Sequence, residues 1–246
     1  MIRLYISEHT PPFTVGLNLL LNADQSRYLA SVMRKVAGDE IALFNGRDGE
    51  WIARIAEVGK RAVRVELITQ TRVQTTAEGP VLAVALIKRG PLETIVEKAT
   101  ELGVAKIQLL ITRRSNSDHT RIDRLQLIAQ EAAEQTERLD VPQILPPIKL
   151  EAFLGDPSCG AILFGDEDST HDGNTTKPMA EVLKTLTALP AAILIGPEGG
   201  FDDAERQTLR NMDTVHPVNL GPRILRADTA AISALTLYQA VCGDWR

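Results

Sequence analysis

The chain has 246 residues, of which 44% are hydrophobic and 24% are charged, so it can bury one sizeable core or two modest ones and is neither disordered nor fibrous. No stretch approaches the roughly 18 to 20 apolar residues of a membrane span and the N-terminus lacks a secretory signal pattern, so we expect a cytoplasmic protein. The formal net charge of -5 argues against nucleic-acid binding through a global positive field.

The first 72 residues carry the pattern of a small β-rich unit. Short runs of β-branched and aromatic residues favour strands, and the turn sequence NGRDG at residues 45–49 predicts a hairpin between two of them. The predicted strands cover residues 3–6, 40–44, 51–58 and 62–68.

One predicted helix interrupts these strands. Asp24 is its predicted N-cap, and Leu29, Val32 and Met33 are predicted to share its apolar face. Residues 1–72 contain ten Lys plus Arg against eight Asp plus Glu, whereas the remainder of the chain is acidic. We therefore expect this front segment to contact phosphate.

The pattern changes after a polar stretch. Residues 69–80 lack periodicity, which is typical of an interdomain linker, and we place the linker itself at residues 73–80. Buried strands are predicted at residues 81–87, 106–112, 160–164 and 191–195, with helices at 91–102 and 121–139. Strands that alternate with helices predict a parallel α/β sheet, and the polar residues 166–177 predict a mobile loop.

The side chains that usually bind metals show no ligand spacing. Cys159 and Cys242 are the only cysteines and form no CxxC pair, and the four histidines are scattered. We expect neither a disulfide nor a metal site.

Two glycine-containing loops stand out near the C-terminal end of the sequence. An α/β sheet binds ligands at the carboxyl ends of its strands, yet neither the dinucleotide nor the P-loop motif occurs. Instead, GPEGGF at residues 196–201 follows a predicted strand, and NLGPRILRADTA occupies residues 219–230. Glycines there let a ligand approach the backbone. Taken alone, GPEGG equally fits a tight turn before a helix that is capped by Asp202.

The second loop carries Arg223 and Arg226, three residues apart and directly before an apolar helix. Arginines in such a place can hold a phosphate or a polarised base. One of them could instead clamp a backbone phosphate or pair with Asp228.

Together the two loops resemble those of the SPOUT methyltransferases of the RsmE type, and the resemblance covers nearly the whole chain. Further matches are VMR at residues 32–34, EKATELGV at 97–104, TRRSN at 112–116 and EQTER at 134–138. The resemblance implies a PUA-like RNA-binding β-barrel at residues 1–72. It also implies an α/β domain with a parallel sheet and a trefoil knot at residues 81–246, and a homodimer.

The activity that the resemblance implies is S-adenosyl-L-methionine-dependent methylation of N3 of a specific uridine in 16S ribosomal RNA, within the small ribosomal subunit. The implied cofactor contacts lie in both loops, and for the aliphatic ones core packing is the alternative. They are Gly196, Glu198, Gly199 and Gly200 in the first loop and Leu220, Gly221, Ile224 and Leu225 in the second.

Loss of the proton from N3 spreads negative charge onto the two uracil oxygens. Arg223 and Arg226 are the candidate catalytic groups that stabilise this charge. Glu198 is the candidate general base, although it could equally cap a helix or orient an arginine.

Further positions match polar residues of the family that are placed to contact RNA. For the two on the long helix, a solvated helix face is the alternative. The set is Arg34, Arg114, Ser115, Asn116, Gln135 and Arg138.

Two other functions remain open on the sequence. One is a non-catalytic protein that binds ribosomal RNA, against which the intact glycine loops argue. The other is a related knotted methyltransferase that acts on tRNA.

Overall fold

The computed structural model describes residues 1–7, 10–59, 62–75, 78–115, 117, 119–156, 160–166, 176–186 and 190–245. Asn116 and residues 167–175 of the predicted mobile loop lie outside the described residues. The chain divides into two compact units, one of residues 1–76 and 133–141 and the other of residues 77–132 and 142–246. Among the described helices, none is long and apolar enough to cross a membrane.

The first unit is built on a curled five-stranded mixed sheet with the strand order β1-β3-β4-β5-β2. Strand β1 runs parallel to β3 and the other pairs are antiparallel. Inward-facing aliphatic residues such as Leu4, Ile41 and Val65 form one core. The strands are β1 (Arg3–Tyr5), β2 (Asn18–Leu20), β3 (Glu40–Phe44), β4 (Glu50–Val58) and β5 (Val63–Arg72).

Strand β5 is longer than the sequence predicts. Arg72 pairs with Glu50 and Thr69 pairs with Ile52, so the ladder with β4 continues through residues 69–72 of the polar stretch and ends before the linker predicted at residues 73–80. Backbone pairing with a nine-residue neighbour outweighs the polar, threonine-rich composition of this stretch.

The predicted helix of the first unit is present, but two of its details are wrong. Helix α1 (Ala23–Arg27) is capped by Asn22 rather than Asp24, because the Asn22 side chain accepts a hydrogen bond from the Gln25 amide at 2.9 Å. A π-helical turn (Tyr28–Val32) follows, and it breaks the 3.6-residue period. Leu29 is therefore buried, while Val32 and Met33 are exposed.

Residues 133–141 join the first unit although they are distant in sequence, and Arg3 holds them there. Its Nη1 donates hydrogen bonds to the carbonyl oxygens of Ala133 and Glu134 at 3.2 and 3.1 Å, and its Nη2 donates to that of Arg138 at 2.9 Å. Carbonyls at the C-terminal end of a helix have no partner inside the helix. One guanidinium therefore caps the end of helix α3 (Ile122–Gln135).

The same guanidinium makes a buried ion pair. Arg3 Nε lies 2.7 Å from Glu50 Oε2, and only 7% and 13% of the two side chains are exposed. Burial alone would raise the pKa of Glu50, but hydrogen bonds from Arg3 and Thr71 outweigh it and bring that pKa below its ordinary value.

The second unit contains a six-stranded parallel sheet with the order β11-β9-β10-β6-β7-β8, which confirms the predicted α/β class. Helices α2 (Arg89–Glu101), α4 (Leu150–Leu154), α5 (Met179–Thr185), α6 (Asp203–Arg210) and α7 (Ala227–Val241) belong to this unit, as does the start of α3. The strands are β6 (Val81–Ala85), β7 (Lys106–Ile111), β8 (Gln143–Lys149), β9 (Ile162–Gly165), β10 (Ala192–Ile195) and β11 (Val215–Val218).

The two edge strands of this sheet were not predicted. Strand β8 contains Pro146 and Pro147, and β11 contains Pro217. Proline cannot donate to a ladder and is tolerated at sheet edges, so these runs do not show the continuous β-branched pattern of the inner strands. The long helix also ends earlier than predicted, at Gln135, and Glu137 follows with a positive φ of 61°.

We predict that Arg3→Met lowers the free energy of unfolding by roughly 3 to 5 kcal/mol, because it removes the cation that pairs with the buried Glu50 carboxylate and donates to three carbonyls. Chemical denaturation measures this. The control is Arg54→Met, whose pair with Glu40 is about half exposed and should contribute about 1 kcal/mol or less.

The same pair has a pH signature. Because the pKa of Glu50 is lowered in the folded protein, its contribution to stability is full above its unfolded value of about 4.5 and is lost as pH falls through the folded value. The stability difference between wild type and Arg3→Met should therefore shrink on acidification below about pH 4.5. A difference that stays constant down to pH 3 would contradict this assignment.

Candidate active site

Asp166, at the end of β9, and the two glycine loops, which follow β10 and β11, lie at one edge of the sheet in the second unit. Together with the start of α7 they enclose a cavity that we call the inner pocket. The carboxyl ends of parallel strands are where α/β sheets place their ligands. The residues that line it include Gly165, Asp166, Ile195, Gly196, Pro197, Gly200, Phe201, Arg206, Asn219, Leu220, Gly221, Arg223, Ile224, Leu225, Ala227 and Ala230.

The first glycine loop is a tight turn. The Gly200 amide donates to the Pro197 carbonyl at 2.9 Å, and Gly200 has a φ of +67°, a conformation that favours glycine. Gly196 is required for a different reason, because a Cβ there would lie 2.7 Å from the Phe201 ring. Asp202 caps α6 through the amides of Ala204 and Glu205, which confirms the predicted cap.

Gly199 differs from its two neighbouring glycines. Its φ is not positive, the nearest atom to a Cβ at this position would be Arg114 Cδ at 3.8 Å, and it does not line the inner pocket. Its carbonyl instead accepts a hydrogen bond from Arg114 Nη1 at 2.9 Å. The conformational argument for glycine in this loop therefore applies to Gly200.

The second glycine loop is held by Asn219. Its amide donates to the Lys177 carbonyl at 3.1 Å, its side chain donates to the Thr176 carbonyl, and its Oδ1 accepts from the Gly221 amide at 3.2 Å. Gly221 has a φ of +112°, which again favours glycine. Residues 222–225, which follow this turn, line the inner pocket.

The aliphatic residues of this loop do not lie in the core. Ile224 is 77% exposed although it lines the inner pocket, and Leu220 and Leu225 are only half-buried. An isoleucine is usually buried, so this exposure favours contact with a ligand over core packing.

A buried carboxylate that the sequence analysis missed stands on the wall of the inner pocket. The Asp166 side chain is fully buried, with Oδ2 2.7 Å from Arg210 Nη2 and Oδ1 3.5 Å from Arg206 Nε. In the sequence, its position directly after a predicted buried strand could have marked it as a candidate site residue, because α/β sheets bind ligands at the ends of their strands.

A second cavity, which we call the outer pocket, adjoins the first. Both pockets are lined by Ile224, Leu225 and Ala227. The outer pocket is more polar in its side chains, with two cations and two carboxylates. Its lining is Ile87, Lys88, Pro91, Glu198, Ile224, Leu225, Arg226, Ala227 and Asp228.

The outer pocket lies at the N-terminal ends of two helices. Lys88 is the N-cap of α2 and Arg226 is the N-cap of α7, and neither N-cap side chain makes a capping hydrogen bond. Backbone N–H groups and the helix dipole favour negative charge at such an end, and in α7 the Thr229 amide already donates to Asp228 Oδ1 at 2.7 Å. This arrangement suits a group that becomes negatively charged during a reaction.

The structure separates three groups that the sequence analysis placed together as catalytic. Arg226 and Glu198 line the outer pocket, whereas Arg223 lines the inner one. Arg226 is exposed and makes no ion pair or side-chain hydrogen bond with the residues that the structure describes. It is therefore available to a substrate.

The predicted RNA-binding residues also fall into two sets. Arg114 and Ser115 belong to the second unit, where Arg114 contacts the first glycine loop and Ser115 Oγ accepts from the Thr112 amide at 2.9 Å. Arg34, Gln135 and Arg138 belong to the first unit.

Within the first unit, only some of these side chains are accessible. Arg34 is exposed and has a φ of 52°, and Gln135 is exposed. Arg138 is 9% exposed and pairs with Asp140 at 3.1 Å, so its guanidinium is engaged inside the unit. Among the described residues, no group of three or more His, Cys, Asp or Glu could hold a metal ion.

Comparison with known proteins places this geometry in a family. A family model described as an RNA methyltransferase domain matches residues 78–239, and one described as an RNA methyltransferase PUA domain matches residues 21–68. The ribosomal RNA small subunit methyltransferase E of Rickettsia conorii is 35% identical over 208 residues, covering 85% of this chain and 83% of that protein. The Synechocystis protein of the same name is 32% identical and covers 94% of this chain and 76% of its own length.

Solved structures agree with the sequence matches. A ribosomal RNA small subunit methyltransferase E from Neisseria gonorrhoeae, bound to S-adenosyl methionine, superposes with a TM-score of 0.84 at 26% identity over 100% of both chains. A putative methyltransferase from Legionella pneumophila, in complex with the cofactor SAM, gives 0.82 at 30% identity over 97% of both chains. On these matches the chain belongs to the RNA methyltransferase family, as a relative of the small-subunit ribosomal RNA methyltransferase E proteins with a PUA domain in its first unit.

Proposed function

We propose that the protein transfers a methyl group from S-adenosyl-L-methionine to N3 of one uridine in 16S ribosomal RNA. The observation that carries this proposal is the junction of the two pockets at Ile224, Leu225 and Ala227, with glycine loops on one side and charged side chains on the other. A cofactor in the inner pocket would thereby face a base in the outer pocket. Relatives named for the small ribosomal subunit, and two similar structures that hold the cofactor, support this assignment.

The inner pocket fits S-adenosylmethionine. Leu220, Ile224 and Leu225 offer apolar surface for the adenine, and the turns at Gly200 and Gly221 bring backbone groups to the pocket without a shielding Cβ. When bound there, the cofactor supplies a methyl group on a positively charged sulfur.

The outer pocket fits the uracil chemistry. N3 of uridine must lose its proton to attack the methyl group, and Glu198 is the carboxylate placed to accept it. Arg226 and the N-terminal ends of α2 and α7 stabilise the charge that then spreads onto the two oxygens. Arg223, which lines the inner pocket, is better placed to bind the carboxylate of the cofactor than the uracil.

The proposal also covers the RNA contacts, the assembly and the location of the protein. The PUA domain, with the exposed Arg34, would bind ribosomal RNA in the small subunit, and Arg114 and Ser115 would contact RNA near the glycine loops. We also retain the trefoil knot, the homodimer and the cytoplasmic location as predictions. A tRNA substrate is less favoured because the relatives carry names of ribosomal RNA enzymes.

Methyl transfer tests the proposed function directly. The protein is incubated with labelled S-adenosylmethionine and with 16S rRNA, small subunits or tRNA from a strain that lacks the activity. Label in 16S rRNA and one strong reverse-transcriptase stop are expected, since a methyl on N3 blocks base pairing. Label in tRNA would favour the tRNA alternative, and RNA binding without transfer would favour the non-catalytic one.

Gly200→Ala is predicted to weaken cofactor binding by at most roughly 5- to 30-fold, because alanine in a left-handed conformation costs about 1 to 2 kcal/mol and a free loop that leaves the turn avoids this cost. Gly199→Ala is the matched control, since its φ is not positive and its Cβ would meet only Arg114 Cδ at 3.8 Å. Calorimetric titration measures both affinities. Equal losses in the two variants would show that the turn geometry does not determine binding.

For Arg226→Ala we expect single-turnover methylation to slow by roughly 10²- to 10³-fold, the effect of removing one preorganised donor, with little change in cofactor affinity. Arg223→Ala should show the reverse pattern, because Arg223 lines the inner pocket. If Arg226→Ala lost cofactor binding as fully as Arg223→Ala, the separate roles of the two pockets would have to be withdrawn.

A homodimer at micromolar concentration is expected, with part of α7 in the interface. Ile232 and Leu237 lie on this helix and are only half-buried in a single chain, while Leu235 and Tyr238 already face the core. Leu237→Glu should therefore shift the sedimentation coefficient towards that of a monomer. A monomeric wild type would contradict the dimer.

A further inference from the structure

Lys88 is a charged residue of the outer pocket that the sequence analysis did not single out. Its Nζ lies 3.6 Å from Glu198 Oε2, and 72% and 36% of the two side chains are exposed. Both side chains line the outer pocket together with Arg226. An exposed pair of this kind contributes little to stability, so stability does not account for its placement.

The fourth charged side chain of the pocket, Asp228, accepts a hydrogen bond from the Thr229 amide at 2.7 Å, and the other three together match one edge of uracil. Lysine and arginine can only donate hydrogen bonds, and an ionised carboxylate can only accept them. The uracil edge presents O2, N3–H and O4, which are acceptor, donor and acceptor. Two cations and a carboxylate that line one pocket therefore offer a suitable partner for each of these three atoms.

Cytosine does not match the same pattern. Its N3 carries no proton and would place a lone pair against the Glu198 carboxylate. Its exocyclic amine would place a donor against a cation. Both contacts are repulsive, so this arrangement selects uracil by rejecting cytosine as well as by binding uracil.

We propose that Lys88 is a specificity-determining and catalytic residue, the cation that binds one uracil oxygen while Arg226 serves the other. As N3 gives its proton to Glu198, Lys88 stabilises the charge that develops on that oxygen. This proposal rests on the proposed methylation of uridine N3.

The test compares Lys88→Met with Arg89→Met. Arg89 is the next residue, its side chain is equally exposed at 72%, and it does not line the outer pocket. Its partner Glu93 also keeps an ion pair with Arg124. Single-turnover methylation of 16S rRNA is measured against pH, together with cofactor affinity and melting temperature.

We expect Lys88→Met to slow methylation by about 10²-fold at neutral pH, with cofactor affinity and melting temperature unchanged. The difference in rate between Lys88→Met and wild type should become smaller as pH rises. It should also be smaller with RNA that contains 5-fluorouridine, because N3 of that base is more acidic and loses its proton more easily. Lys88→Arg should restore most of the rate. Arg89→Met should behave as wild type at every pH.

Two results would overturn the proposal. One is a Lys88→Met rate equal to that of Arg89→Met, and the other is a deficit that is the same at every pH and with both RNAs, which would indicate a contact to RNA phosphate only. Mapping the wild-type product separates this failure from failure of the proposed function. If wild type methylates uridine N3, only the role of Lys88 is lost, whereas methylation elsewhere overturns both.

Discussion

The common register of strands β9, β10 and β11 is the constraint on which both pockets depend. Phe164 of β9 is paired with Leu194 of β10 on one side and with Pro217 of β11 on the other, so the three strands end nearly level. A slip by one residue would turn each buried side chain to the opposite face, and β10 is buried along its whole length. Asp166 and the two glycine loops that follow β10 and β11 consequently line the same cavity.

Two kinds of ion pair surround these loops, and their environments suggest different roles. Asp166 is fully buried between Arg206 and Arg210, so its carboxylate would be left unpaired away from water only if both arginines were lost. It fixes the end of β9 against α6. Lys88 and Glu198 are exposed and 3.6 Å apart, so water can replace either partner at little cost. The Asp166 cluster is therefore suited to a rigid pocket wall. The Lys88–Glu198 pair is suited to a surface where a ligand can replace one partner.

The sequence predicted those parts of the fold that depend on local pattern. Strands β6, β7, β9 and β10 were predicted from continuous apolar runs, and the cap at Asp202 from its place after a glycine turn. The edge strands β8 and β11 were missed because their prolines obscure the pattern. The expectation of a trefoil knot rests on the family resemblance alone, since no local periodicity encodes how a chain threads itself.

The sequence likewise indicated only those parts of the candidate site that depend on local residue type. The glycine loops indicated the inner pocket, because the positive φ of Gly200 and Gly221 favours glycine and is therefore visible in the sequence. Lys88 and Asp166 were missed, since their neighbours Glu198 and Arg210 are distant in sequence. The burial of Arg138 beside Asp140 likewise follows from tertiary packing that composition does not report.

Because residues 133–141 are bound to Arg3, the first unit is built from two segments that are far apart in the sequence. During synthesis the five strands of that unit, all complete by Arg72, emerge long before the helix end that Arg3 caps. The Arg3 guanidinium can then pair with Glu50, but the three carbonyls to which it also donates are not yet present. The front unit therefore cannot reach its final state as a nascent fragment, and for the same reason it cannot be exchanged between relatives as one uninterrupted stretch of gene.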